Sequence, residues 1–173
     1  MIARAAALAL ALFVGACATT PPQPLPHLSS VPQAFEMSGR LALRQGQRSD
    51  IAKLRWTHRP SEDTWVIASP LGNEVAPIES SPGGATLQQA DGQRAEAASF
   101  AELTERVLGV ALEPSQLAAW LHGSPPNGGD GWKVTLDEKQ PAGAIEIARR
   151  LSAVRGDTTV RLVVDEYRAL ESP

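Results

Sequence analysis

Apolar side chains recur at every second position through the first half of this chain, and that period decides what it can fold into. In FEMSGRLALR, Phe35, Met37, Leu41 and Leu43 share one parity, while Glu36, Ser38, Arg40 and Arg44 share the other. A strand with one buried and one wetted face reads this way. Residues 45–50 are polar and include Gly46, which predicts a hairpin connection. Ala52, Leu54 and Trp56 then face one way, and Lys53, Arg55 and Thr57 the other. Further strands are predicted at 65–69, 74–80, 86–89 and 94–97, punctuated by Pro82-Gly83-Gly84 and Ala90-Asp91-Gly92. Pro77 lacks the N–H a ladder needs, so it implies an edge or a bulge in its strand.

The period lengthens at Ser99. Ser99 followed by Glu102 forms a capping box; Phe100, Leu103, Val107 and Leu108 recur at helical spacing, and Gly109 ends the helix. A second helix opens on Pro114, places Leu117, Trp120 and Leu121 on one face, and stops at Gly123. Strands then return. Trp132, Val134 and Leu136 alternate; Leu151 and Ala153 lead into Gly156-Asp157, and Val160, Leu162 and Val164 alternate again. Strands, two short helices, then strands describe a mainly β (α+β) fold, a curved antiparallel sheet with helices on its concave face. The absence of βαβ alternation excludes a dinucleotide-type fold.

The N-terminal segment reads differently. Arg4 precedes an apolar run over residues 5–14, then Gly15-Ala16-Cys17. That is a secretory signal peptide, too short to span a bilayer, which needs ~20 apolar residues. Val14-Gly15-Ala16-Cys17 resembles the bacterial lipobox, so residues 1–16 are expected to be removed and Cys17 to become the lipidated first residue. An ordinary signal peptide with an incidental cysteine is the alternative. No other cysteine exists, which removes disulfides and thiolate metal sites. Two or three acyl chains, at roughly 0.8 kcal/mol per buried methylene, anchor a protein durably. Ala18 and Thr19 follow; the absence of Asp there resembles the outer-membrane sorting pattern. Residues 17–34, with Pro21, Pro22, Pro24, Pro26 and Pro32, are expected to form a tether, and 35–173 a single folded domain.

Chemistry is sparse. The net charge of −3 gives no pull toward nucleic acid. His27, His58 and His122 are far apart and fit no zinc spacing, and GxSxG, P-loop and GxGxxG motifs are missing. Gly128-Gly129-Asp130-Gly131 lacks calcium-loop spacing, and Arg155-Gly156-Asp157 lies where a hairpin turn belongs. No metal, cofactor or enzymatic role is therefore expected. Trp56, Trp65, Trp120 and Trp132 fall on different elements, joined by Phe35 and Met37. They make either a plain core or the wall of a lipid-sized cavity, as some barrels do. In Ser69-Pro70-Leu71-Gly72-Asn73 a leucine holds the turn position that Asn, Asp, Ser or Gly favour. Leu71 either folds back on neighbouring strands or is presented outward to lipid.

FEMSGRLALR, LRW at 54–56, WVIASPLG at 65–72, PGG at 82–84, ADGQR at 90–94, WLHGSP at 120–125, DGWKV at 130–134, RRLSAVRGD at 149–157 and VRLVVDEY at 160–167 together resemble the LolB family of outer-membrane lipoprotein insertion proteins. The resemblance implies an unclosed antiparallel β-barrel whose hydrophobic cavity is covered by helices. It also implies an activity: accepting acylated client lipoproteins from a soluble periplasmic carrier of the LolA type and placing them in outer-membrane lipid. The chain is then a monomer on the periplasmic face of a Gram-negative outer membrane, working without a cofactor. Pro70, Leu71 and Gly72 correspond to the membrane insertion loop. The acyl-chain cavity is assigned on β residues Phe35, Met37, Leu41, Leu43, Leu54, Trp56, Trp65 and Ile67. Leu103, Val107, Leu117, Trp120, Leu121, Trp132 and Val134 complete it. One departure stands out: the family carries a longer segment between WLHGSP and DGWKV, where this chain has only Asn127-Gly128-Gly129. Fewer strands, and a narrower or more open cavity on that side, are implied. Two competitors remain, a scaffolding lipoprotein with a packed barrel and an envelope hydrolase with dispersed catalytic groups.

Overall fold

The first and last strands of the domain lie side by side, and the rest of the architecture follows from that pairing. A computed structural model describes residues 32–71, 74–89, 92–124 and 130–171, the side chains of 74–76 excepted. The signal segment, Cys17 and most of the tether lie outside the described residues, as do Gly72 and the shortened link at 125–129.

The strands are β1 (Phe35–Gln45), β2 (Arg48–His58), β3 (Asp63–Ala68), β4 (Glu74–Ser81), β5 (Gly84–Gln88), β6 (Arg94–Ala97), β7 (Lys133–Ala142), β8 (Ile145–Arg155) and β9 (Thr158–Ala169). They form one antiparallel sheet in the order β6-β5-β4-β3-β2-β1-β9-β8-β7. Among the described residues no pairing joins β6 to β7, so the barrel is open on that side. The helices α1 (Phe100–Leu108) and α2 (Pro114–Leu121) pass between the two halves of the chain.

The alternation read from the sequence sets the faces. Phe35, Met37, Leu41 and Leu43 of β1 and Leu54 and Trp56 of β2 are buried, while Arg40, Lys53 and Arg55 are exposed. The β1–β2 turn is tighter than expected: strand pairing continues to Gln45↔Arg48, leaving Gly46 (φ +57) and Gln47 as the turn. Pro77 sits in an interior strand and pairs with Val66 of β3, but β5 pairs with β4 only from Ile78 onward. The missing N–H therefore falls where β4 is locally an edge, beside a register shift opposite Ile67 and Ala68. The β7–β8 hairpin, turning at Gly143, extends well beyond the predicted strands.

The helices obey their local signals. Ser99 Oγ accepts the Glu102 N–H at 3.1 Å, the Glu102 carboxylate accepts from Ala98, and Gly109 closes α1 in the left-handed conformation. Pro114 starts α2, His122 ends it, and Gly123 follows at φ +81. Both helices press their apolar sides onto the concave face. Phe100 and Leu103 of α1 and Leu117, Trp120 and Leu121 of α2 are buried in one core with Trp56, Trp65, Ile78 and Leu151.

Candidate functional site

Two ends of this half-barrel are chemically distinct. At the end where β1 begins, a polar and aromatic cluster closes the interior. Phe35 stands edge-on to Trp56 with ring centres 4.8 Å apart and also meets His58, His122 and Tyr167. Asp63, at the start of β3, accepts the Trp56 indole N–H at 2.7 Å and the His58 Nδ1–H at 2.8 Å, which satisfies three buried polar groups together. His122 contacts the Ala118 carbonyl through Nδ1 at 2.7 Å. A carbonyl can only accept, so Nδ1 carries the proton and Nε2 accepts the Tyr167 O–H at 2.8 Å. Burial holds the His122 pKa below its usual value, opposed by the Ala118 bond and aided by nearby His58. Burial pushes the Tyr167 phenol up to about 12. A neutral Tyr167–His122 bond thus ties the end of α2 to β9.

The opposite end carries the hairpin turns. The β1–β2 and β8–β9 turns touch through the Gly46 N–H to the Asp157 carbonyl, 3.3 Å. Gln45 Nε2 donates to the Gly109 carbonyl at 2.6 Å, bringing the C-terminus of α1 to the same place. Ala68, the last residue of β3, pairs with Lys53 at the middle of β2, so the chain leaving β3 heads from there toward the hairpin end. An apolar cavity of about 100 Å³ opens here. Leu41 and Leu43 of β1, Ile67 of β3 and Val160 of β9 form its sheet wall, Leu108 and Leu112 its helical wall, and Arg48 and Asp50 stand on its lining.

Of the residues assigned to an acyl-chain cavity, Leu41, Leu43 and Ile67 border this space. Phe35, Met37, Leu54, Trp56, Trp65, Leu103, Leu117, Trp120, Leu121, Trp132 and Val134 are buried in the packed interior. Val107 lies on the solvent side of α1. Pro70 is exposed, and Leu71 is 90% exposed, pointing away from the neighbouring strands. Sequence reasoning missed Ala52, Leu108, Leu112 and Val160 as cavity residues. The signal was present in Ala52 and Val160, which continue the inward parity of their strands, and absent for Leu112, which lies between the helices. Among the described residues the buried Trp65 indole N–H and Ser69 Oγ have no hydrogen-bond partner; Trp65 is on β3 and Ser69 just beyond its end.

The model of the family described as outer membrane lipoprotein LolB matches residues 33–167. The chain belongs to the LolB family. Curated relatives called outer-membrane lipoprotein LolB include one from Azoarcus sp. (strain BH72), 32% identical over 92% of this chain and 91% of that protein. Another, from Chromobacterium violaceum, is 34% identical over 97% of this chain and 100% of its own length. A third, from Shewanella sp. (strain MR-7), is 28% identical over 96% and 89% respectively. Among solved structures, a DUF1329 family protein from Desulfovibrio piger ATCC 29098 shares the fold alone, with a TM-score of 0.52 at 8% identity over 81% of this chain and 87% of that one. No helix among the described residues is long and apolar enough to cross a membrane.

Proposed function

We propose that this LolB-family protein is an outer-membrane-anchored acceptor that takes lipoproteins from a soluble periplasmic carrier, shields their acyl chains and inserts them into the membrane. In this reading residues 1–16 are removed, Cys17 carries the lipid anchor and residues 17–34 are the tether. The observation that carries it is the exposed Leu71 at the tip of a turn, on the same end of the sheet as the mouth of the apolar cavity.

Exposed methylenes cost roughly 0.8 kcal/mol each, so an acylated client needs an apolar sleeve in transit. A cavity of about 100 Å³ is smaller than the ~150 Å³ cavity that accommodates one benzene. Acyl chains therefore enter by spreading the helices from the sheet. The hydrogen bonds to be released include Gln45 to Gly109 at one end, Tyr167 to His122 at the other, and Arg106 of α1 to the Glu96 carbonyl of β6. Spreading opens the space between α1, α2 and the inward column of Met37, Leu41, Leu43, Trp56, Trp65 and Ile67, and gives the Trp65 indole a polar neighbour in the ligand's carbonyl groups. Direction comes from affinity differences alone: tighter than the carrier, weaker than the bilayer.

The test is a transfer assay with a labelled lipoprotein loaded on its carrier. Leu71→Glu should accept the lipoprotein as well as the parent does, yet pass it to liposomes at least tenfold more slowly, since a buried leucine contributes about 1.5–3 kcal/mol. Unchanged incorporation sinks the role of Leu71. A second reading, a scaffolding lipoprotein with a filled barrel, draws on the tightly buried Trp56, Trp65 and Trp120. A titration with a fluorescent fatty acid separates the two: a saturable site supports the acceptor, and its absence the scaffold.

A further inference from the structure

The exposed large apolar side chains among the described residues are Ile51, Leu71, Val107 and Val154. Singly, such residues are ordinary on a protein surface. Their positions are not independent, however. Ile51 pairs with Ala42 near the β1–β2 turn and is 58% exposed; Val154 is the last residue but one of β8, at the β8–β9 turn, and is 39% exposed. Val107, also 39% exposed, lies in the last turn of α1, which Gln45 holds against the β1–β2 hairpin. Ile51, Val107 and Val154 all lie toward the hairpin end, Ile51 and Val154 on the convex face and Val107 on the solvent side of α1, outside the lining of the apolar cavity. The other end, where Phe35 and Tyr167 close the interior, contributes none.

The charge at this end complements one class of partner. On the convex flank, Arg44 of β1, Lys53 of β2 and Arg161 of β9 are exposed around Ile51 and Ala42. Among the described residues none of the three makes an ion pair, and Arg44 donates to the Gly46 carbonyl at 3.2 Å. Lys133 pairs in register with Val154 and adds another exposed cation, without an ion pair among the described residues. Opposing them are Asp50, already bonded to Arg48 at 2.7 Å, and the carboxylates of Glu105, Asp130 and Asp157. A basic flank on a chain whose net charge is −3 is a local feature that composition does not explain.

We propose that the whole hairpin end is a bilayer-docking surface, in which Ile51, Val107 and Val154 enter the headgroup boundary with Leu71 while Arg44, Lys53 and Arg161 engage phosphate-bearing anionic lipid. This rests on the reading of Leu71 as the bilayer contact and extends it from one side chain to the hairpin end. Apolar residues seated at an interface beside cations that meet anionic headgroups are the two attractions that hold peripheral proteins on membranes. The consequence is directional. With the mouth pressed onto the bilayer, an acyl chain leaving between Leu43 and Leu108 passes into hydrocarbon without crossing water.

The test uses the chain from residue 17 onward with Cys17→Ala, so that an acyl anchor does not mask weak binding, and vesicles of phosphatidylcholine with or without phosphatidylglycerol. Binding should be stronger on the anionic vesicles and fall with added salt. Lys53→Glu with Arg161→Glu should weaken binding to anionic vesicles by about thirtyfold or more, from about fivefold for each of the two cations, and reduce the salt effect. Ile51→Ser with Val154→Ser should weaken binding to both vesicle types. Melting curves matching the parent confirm that these exposed substitutions leave the fold intact. If both double variants bind like the parent while Leu71→Glu does not, the contact is confined to the turn; the docking surface is refuted and the acceptor reading stands. If the charge variant keeps vesicle binding but loses uptake from the loaded carrier, the flank docks an acidic carrier and the proposal is overturned. If the parent chain itself does not bind vesicles, the proposal and the Leu71 role fall together.

Discussion

Adding a single methyl group at Gly39 drives a carbon into the seam between the first and last strands. A Cβ at that position lies 2.1 Å from the Val163 carbonyl oxygen and 3.2 Å from the Val164 Cα, both backbone atoms that no rotamer change can move aside. Gly39 stands where the β1–β9 register shifts, with Asp165 as the extra residue on β9. Relief requires about 1 Å of separation there. Overpacking at the upper end of its range costs about 3 kcal/mol, and a ladder hydrogen bond lost with it adds about 1 kcal/mol. For a domain of this size each kcal/mol lowers the melting temperature by roughly 3 °C, so Gly39→Ala should lose about 10 °C. Gly143→Ala is the control. Gly143 differs in having a positive φ, +68, which Gly39 lacks, and nothing within 4 Å of an added Cβ, so it incurs only a backbone penalty of about 1 kcal/mol. Thermal unfolding followed by circular dichroism compares the two. Equal losses would refute the reasoning, because the clash at the seam would then cost no more than the backbone penalty at an open turn.

Other outcomes follow from the same contacts. Asp63→Ala strands the buried Trp56 N–H and the His58 ring together and should destabilise by about 2–4 kcal/mol, whereas Asp63→Asn keeps one acceptor and loses less; urea unfolding measures both. Thr104 is fully buried and its hydroxyl accepts the Leu112 N–H at 3.0 Å, so the near-isosteric Thr104→Val should cost about 1–3 kcal/mol, read by the same titration. His122 has a lowered pKa in the folded state, so the unfolded chain binds the proton more readily. Its contribution is complete above pH about 6.5 and is lost as pH falls below that value. Melting temperature should therefore drop between pH 7 and 5 more steeply for the parent than for His122→Gln, and parallel curves would remove this histidine as the cause.

Legibility differed sharply between elements. α1 was readable to the residue because Ser99, Glu102 and Gly109 act within one helical turn of their positions, and capping depends on little else. β1 and β2 were readable because one face is dry and the other wet. β7 was not: after Val134 no residue of it is fully buried, and Glu138 and Gln140 occupy inward positions where the alternation would call for apolar side chains. The candidate site divides in the same way. The unusual leucine at position 71 is visible as a violation of turn chemistry. Whether a row of inward side chains encloses space or fills it leaves no trace in the alternation, since both need the same apolar face. Nor could Ile51, Val107 and Val154 be associated from the sequence, because they become neighbours only when Gln45 and Gly46 bring three elements to one end.

The chain enters the domain at Phe35, opposite His58, which is the end away from the hairpin turns. The point of entry and the proposed docking surface thus belong to opposite poles, and in the proposed arrangement the domain is a pendulum hung by one pole that must tip over to touch its own support. β2 has 11 residues, so the poles are separated by about 36 Å. Residues 18–34 reach at most about 55–60 Å when fully drawn out, enough to let the domain invert with little slack to spare. Under the proposed function the leash length then sets two exclusive postures, one with the mouth turned to the periplasm for loading and one with the mouth on lipid for discharge. A deletion of half the leash would permit the first and forbid the second.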